Sequence, residues 1–231
     1  MTTRVRGNRQ SRRVAHRQTN WGLIVGVIGA GVLGLFALLF LALQEPGIPS
    51  LADYCQANPD RCVVKGAADA PVTVVEVSDY SCPACRTFNV ETADPLDETF
   101  VQTGQARWVV LPFARPSVRE QAAPAAAAAL CANEQGLFFE YHRTLFDLQE
   151  SPTALTREGY LEAAGQVGLE MGAFNSCLDS GRYDEIVDAN IDAAMKAGVD
   201  STPTFFINGV KLIGAHPFAT FQQRIMSTLG S

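Results

Sequence analysis

Cys82-Pro83-Ala84-Cys85 follows directly on a short apolar stretch, Val72 to Ser78, and so demands a strand that hands over to a helix at the first sulfur. Two thiols at that spacing can close a disulfide within one helical turn. Cys82 would lie at the helix N-terminus, where unpaired backbone N–H groups and the positive end of the dipole favour a thiolate. That makes Cys82 the nucleophile and Cys85 its resolving partner. Pro83 suits the first turn, where its missing N–H costs nothing. Half of a zinc site is the sharpest rival reading, and an inert structural disulfide is another. A structural zinc site calls for four ligands, and here Cys131 and Cys177 stand alone, Cys55 and Cys62 are separated by six residues, and His16, His142 and His216 are scattered. No metal site is therefore expected.

Residues 1–20 hold six arginines and no acidic residue, and Trp21 to Leu43 runs for 23 residues without a charge. As a helix that run spans about 35 Å, enough for a bilayer core of about 30 Å. The chain is expected to carry a cytoplasmic basic segment over 1–20 and a single transmembrane anchor over 21–43, with everything from Gln44 onward outside the cell membrane. A cleaved signal peptide is the alternative, but its apolar core would be shorter and would end at a small-x-small site that Leu41-Ala42-Leu43-Gln44 does not offer. All six cysteines fall on the exported side, which suits an oxidising compartment. With the N-terminal arginines set aside, 12 basic residues face 24 acidic ones, a net charge of −12 that argues against nucleic acid as a partner.

Residues 44–64 read as a linker holding a possible local disulfide, and 65–231 as one domain. Val72-Thr73-Val74-Val75-Glu76-Val77 has the β-branched, apolar character of a central strand, broken only by Glu76. A second strand is expected over Arg107 to Pro112. From about 117 to 196 the spacing of apolar residues is helical, through an alanine-rich run and then Leu137, Phe138, Tyr141, Leu145 and Phe146. Strand character returns at Thr204 to Ile207 and Val210 to Ile213 around an Asn208-Gly209 turn, and Gln222 to Leu229 closes the chain as a helix. Strand, C-x-x-C helix, strand, helical block, hairpin and helix is the order of an α/β, thioredoxin-like fold carrying a helical insertion and preceded by one transmembrane helix.

Three segments, Asp79 to Cys85, Cys131 to Gly136 and Gly198 to Gly209, make the chain resemble the DsbA-like family of exported thiol-disulfide oxidoreductases. The resemblance covers most of residues 65–230. It implies that the Thr202-Pro203 bond is cis and faces Cys82, with the Thr202 backbone pairing to an extended substrate segment. It also places Glu76, six residues before Cys82, where such enzymes keep a buried acid. There a raised pKa would let it accept and return the proton of Cys85. One departure is Ala84, where strongly oxidising relatives carry His, so oxidase, isomerase and reductase are not separated by motif alone. The remaining cysteines are assigned as Cys55 with Cys62 and Cys131 with Cys177.

The function expected is donation of the Cys82–Cys85 disulfide to reduced exported proteins, without cofactor. A quinone-linked membrane partner of the DsbB or VKOR type would reoxidise the pair. A reductase or isomerase fed with electrons across the membrane is one alternative. A non-catalytic thioredoxin-fold module that binds unfolded exported chains is the other.

Overall fold

The computed structural model describes residues 50–230, together with isolated positions 26, 29, 31, 32, 34 and 35, all helical. The membrane span expected over 21–43 otherwise lies outside the described residues. Among the described residues no helix is long and apolar enough to cross a membrane.

The sheet is built on β2 (Val72–Asp79), in which every residue is buried. β3 (Ala106–Phe113) pairs with it in parallel on one side and β4 (Thr204–Ile207) antiparallel on the other. β1 (Val63–Lys65) flanks β3 and β5 (Val210–Ile213) flanks β4, both antiparallel. A strand enclosed on both edges and both faces has no place for polar side chains unless they are paired, which is why its sequence is Val-rich. The β4–β5 hairpin turns at Asn208 and Gly209, whose φ values of 44° and 83° are those the two-residue turn requires. Asn208 also ties the hairpin to β2, its Oδ1 accepting from the Thr73 N–H at 2.7 Å.

Residues 51–64 are not a linker. Leu51–Ala57 forms helix α1 and Val63–Lys65 is the edge strand of the sheet, so the globular unit begins before Lys65. Apolar periodicity over so few residues is silent about this, and tertiary contacts decide it. The side chain of Asn190, fully buried, accepts from the Tyr54 hydroxyl at 2.9 Å and donates to the carbonyls of Arg61 at 2.8 Å and Pro112 at 3.1 Å. Cys55 and Cys62 are joined, closing the α1–β1 connection.

α2 (Pro83–Glu91) leads into the short α3 (Ala93–Leu96) and a π-helical turn over Asp97–Val101, so Asp94-Pro95 bends the helical path without ending it. One face of the sheet receives α2 and the C-terminal α9 (Phe218–Leu229). There Phe88 packs on Phe205 and Phe221 with ring centroids 4.4 and 5.2 Å away. Each of these rings is fully buried, worth about 1.5–3 kcal/mol apiece. The insertion contains α4 (Arg119–Asn133), α5 (Phe138–Asp147), α6 (Arg157–Val167), α7 (Met171–Ser180) and α8 (Asp184–Lys196). Its alanines, nearly all buried in α4, allow close helix packing, and Cys131 of α4 is bonded to Cys177 of α7.

Candidate active site

Cys82 is the N-cap of α2, and its sulfur accepts from the Cys85 N–H at 3.4 Å. Pro83 occupies the first helical turn, as its fixed φ and absent N–H permit. The turn that delivers Cys82 is held by Asp79 at the end of β2. This fully buried carboxylate accepts from the N–H of Ser81 at 2.7 Å and of Arg115 at 2.9 Å, and its backbone carbonyl accepts from the Cys82 N–H. From the insertion, Gln149 reaches over and donates to the carbonyls of Tyr80 and Cys82 at 2.7 and 3.1 Å.

The two cysteines are free thiols with opposite tendencies. The Cys85 thiol donates to the Cys82 sulfur, and this is the largest influence pulling Cys82 down from 9.0 to about 6. The Thr202 side chain and the N–H groups of Cys85 and Ala84 assist, against the cost of burial. Cys85 is pushed well above 9.0, first by its own burial and then by Cys82. At pH 7 an acid of pKa 6 is about 90% ionised, against about 1% for one of 9, so Cys82 is the thiolate and Cys85 the thiol. Cys82 is not freely exposed: only 6% of its surface is open, so attack on it has a narrow approach.

Thr202-Pro203 is cis and lies against Cys82, whose sulfur is 3.2 Å from the Thr202 carbonyl oxygen. The thiol form donates to that oxygen. The thiolate cannot, and the nearby Thr202 hydroxyl, buried and without a hydrogen-bond partner, is among the groups that favour it.

Glu76 sits on the α2 face of β2, in register with Val110 and Phe205, and is fully buried. It accepts from the Ser78 hydroxyl, from Asn89 Nδ2 at 3.0 Å and from Trp108 Nε1 at 3.0 Å. Burial raises it from 4.5 to about 7 against these three donors. Asn89 Nδ2 also donates to the Cys85 carbonyl at 3.0 Å, linking the acid to the second cysteine through one side chain. Beside the same carboxyl stands His142 of α5, with Nε2 3.9 Å from Glu76 Oε1 and Nδ1 2.6 Å from the Tyr80 hydroxyl. Burial lowers His142 to about 3, so it is neutral.

The structure thus gathers Cys82, Pro83, Ala84, Cys85, Glu76, Thr202 and Pro203 at one end of the sheet, while the 55–62 and 131–177 disulfides lie in peripheral elements. Asn89, Trp108, His142 and Gln149 escaped the sequence reading. Asn89 falls four residues after Cys85 on the same helix, and His142 lies within the apolar stripe of Phe138, Tyr141, Leu145 and Phe146. A polar residue in such a stripe signals a buried partner without naming it.

The family described as Thioredoxin matches residues 59–226. The Na(+)/H(+) antiporter NhaA 3 of Salinispora tropica is 34% identical over 175 residues, 75% of this chain and 26% of that protein. The chain therefore spans about a quarter of that relative's length. Disulfide bond formation protein D of Bacillus subtilis is 26% identical over 148 residues, covering 63% of this chain and 67% of that one. Among solved structures, α-DsbA1 of Wolbachia pipientis superimposes with a TM-score of 0.64 at 23% identity, over 72% of this chain and 90% of that one. That likeness establishes a DsbA-like arrangement of sheet and helical insertion. With a match that runs unbroken from before β1 into α9, the chain belongs to the thioredoxin family.

Proposed function

We propose that the chain is a membrane-anchored thiol-disulfide oxidoreductase that introduces disulfides into exported proteins. The observation that carries this reading is the unequal pair: a helix-capping Cys82 held as thiolate above a buried Cys85 held as thiol. The Bacillus subtilis relative, named a disulfide bond formation protein, is consistent with it. Anchoring by residues 21–43, a cytoplasmic N-terminus and an extracytoplasmic domain rest on the arginine-rich start and the 23 uncharged residues after it.

In the oxidised enzyme a substrate thiolate attacks the Cys82 sulfur. The Cys82–Cys85 bond breaks, and Cys85 leaves as a thiolate that takes up a proton from Glu76, the buried acid that Asn89 ties to the Cys85 backbone. A second substrate thiolate then attacks the substrate sulfur of the mixed disulfide and expels Cys82. Two substrate thiols become one disulfide, and two electrons remain on Cys82 and Cys85. The low pKa of Cys82 makes it the better leaving group in that last step and stabilises the reduced enzyme, both of which favour net oxidation. The Thr202 backbone, beside Cys82 and next to the cis Pro203, is placed to pair with an extended substrate strand. Return to the disulfide form then falls to a quinone-linked membrane partner of the DsbB or VKOR type.

The deciding measurement is the reduction potential of the Cys82–Cys85 pair in the full-length protein. An oxidase poise lies above about −180 mV, whereas a value near about −270 mV would make the protein a reductase instead. Ala84 provides no imidazole beside Cys82, so the value is expected toward the lower part of the oxidase range.

A further inference from the structure

The carboxamide of Gln149 is held in one orientation. It sits in the single turn Leu148–Glu150 that follows α5, with Nε2 2.7 Å from the Tyr80 carbonyl oxygen and 3.1 Å from that of Cys82. Carbonyl oxygens only accept, so the NH2 end must face them, and both of its hydrogens are used. Oε1 is left on the other side of the amide and takes no hydrogen bond among the described residues. Gln149 is half-buried, and its Oε1 is not one of the buried polar atoms that lack a partner, so this acceptor meets solvent. Next to it Glu150 pairs with Arg86 of α2 at 3.3 Å, a second tie between this turn and the C-x-x-C helix.

Gln149 and Thr202 reach Cys82 from different sides. β4, which Thr202 leads into, lies along one edge of β2, and β3 lies along the other. The insertion stands over the β3 side, where the Phe139 ring of α5 is 5.5 Å from that of Trp108. The Cys82 sulfur is 3.2 Å from the Thr202 carbonyl oxygen, while the Cys82 carbonyl holds Gln149. Bond geometry then keeps Gln149 Oε1 within about 10 Å of the reacting sulfur. An extended chain advances about 3.3 Å per residue, so a substrate whose cysteine meets Cys82 passes Oε1 within about three residues of that cysteine. A strand paired along one edge with Thr202 turns the N–H groups of its alternate residues to the opposite edge. With only 6% of Cys82 open, such donors lose water as the chain enters and need an acceptor there.

We propose that Gln149 is a substrate-binding residue whose Oε1 accepts a main-chain N–H of the exported chain, so that the backbone beside the reacting cysteine is gripped on both edges. The contact is blind to side chains with one exception: proline has no N–H and is disfavoured at the position facing Gln149. Because two carbonyls already fix the carboxamide, little side-chain freedom is lost when substrate arrives. This deepens the reading of the chain as an oxidoreductase of exported proteins and rests on it.

The test is reduction of the oxidised full-length protein by an excess of a single-cysteine peptide, followed by acid quenching, alkylation and mass measurement. Two peptide thiols become one peptide disulfide, and Cys82 and Cys85 take up the two electrons. One backbone N–H at a time is replaced by N-methyl over the three residues on either side of the peptide cysteine. The penalty is the rate of the unmethylated peptide over that of the methylated one, so any general loss at Cys82 in a variant divides out. In wild type, one position in addition to that paired with Thr202 is expected to show a penalty of roughly two- to tenfold. In Gln149→Leu that penalty is expected to vanish while the one at the Thr202-facing position persists. Gln149→Lys can still donate to the Tyr80 and Cys82 carbonyls but accepts nothing, and is expected to behave as Gln149→Leu. A merely structural Gln149 slows every peptide alike and leaves all penalties at their wild-type values. That result, a retained penalty in Gln149→Lys, or a wild type with no penalty beyond the Thr202-facing position overturns the proposal. If Gln149→Leu fails to fold, Gln149→Lys decides. Should the reduction potential prove reductase-like, the oxidase reading falls, and the same scan on reduction of the peptide disulfide still decides the contact.

Discussion

Replacing Glu76 by Gln should remove the pH dependence that this carboxyl gives to folding stability. In the folded protein this carboxyl titrates at about 7 against an ordinary 4.5, chiefly because it is buried. The folded state therefore holds the proton more tightly than the unfolded state. Below about pH 4.5 both states are protonated and Glu76 carries no penalty. As pH rises to 7 the unfolded chain ionises freely while the folded one resists, so stability falls and stays low above 7. At about 1.4 kcal/mol per pH unit, that gap makes the effect about 3 kcal/mol. Gln has no charge to bury, but it brings an amide toward Asn89 Nδ2 and Trp108 Nε1, which already donate. One lost hydrogen bond should cost the variant about 1–3 kcal/mol at acidic pH. The variant is thus expected to be less stable than wild type at pH 4.5 and as stable or more so at pH 8. Urea unfolding of the reduced protein at several pH values, followed by fluorescence and far-UV circular dichroism, measures the gap. Cys82 titrates in both proteins, and its contribution cancels in the difference. A gap that stays constant within about 1 kcal/mol from pH 4.5 to 8, or that turns further against the variant at alkaline pH, would refute the buried-acid argument.

The same Glu76→Gln variant should slow thiol-disulfide exchange at neutral pH and recover as rising pH ionises Cys85 unaided; identical pH–rate profiles would take Glu76 out of the mechanism. Alkylation of Cys82 should follow a midpoint near pH 6, with Cys85 inert until well above 9, and mass mapping after a pulse of iodoacetamide checks both. Cys82→Ser should abolish dithiol oxidation, whereas Cys85→Ser should leave a thiolate that traps substrates as long-lived mixed disulfides, visible on non-reducing gels. Removing the Cys131–Cys177 bond, 46 residues apart, should cost about 4 kcal/mol of unfolding free energy, against about 2.4 kcal/mol for Cys55–Cys62, which are seven apart. Equal losses from the two would contradict the chain-entropy account.

The order of elements could be read in the sequence because each carries its own local signal. The apolar run of β2, the Asn208-Gly209 turn and the apolar periodicity of the insertion depend on residues close together in the chain. The α1–β1 segment lacked such a signal. Its three-residue strand and seven-residue helix are too short to show a period, and they are held by pairing with β3, by the Cys55–Cys62 bond and by Asn190, more than a hundred residues later. Glu76 stood out as an acid in an apolar strand, yet nothing local indicated that Asn89, Trp108 and His142 converge on it.

By itself the sequence singled out the candidate reactive residues. A thiol at a helix N-terminus is acidified by backbone groups that any helix provides, and the spacing of Cys82, Pro83 and Cys85 places them there. Only the tertiary structure decided how strongly each group is tuned. Burial is a property of the assembled core: it raises Cys85 and Glu76, silences His142 and leaves Cys82 a narrow opening beside Thr202. Desolvation depends on what packs around a group from distant parts of the chain, and no pattern of neighbours in sequence encodes that distance.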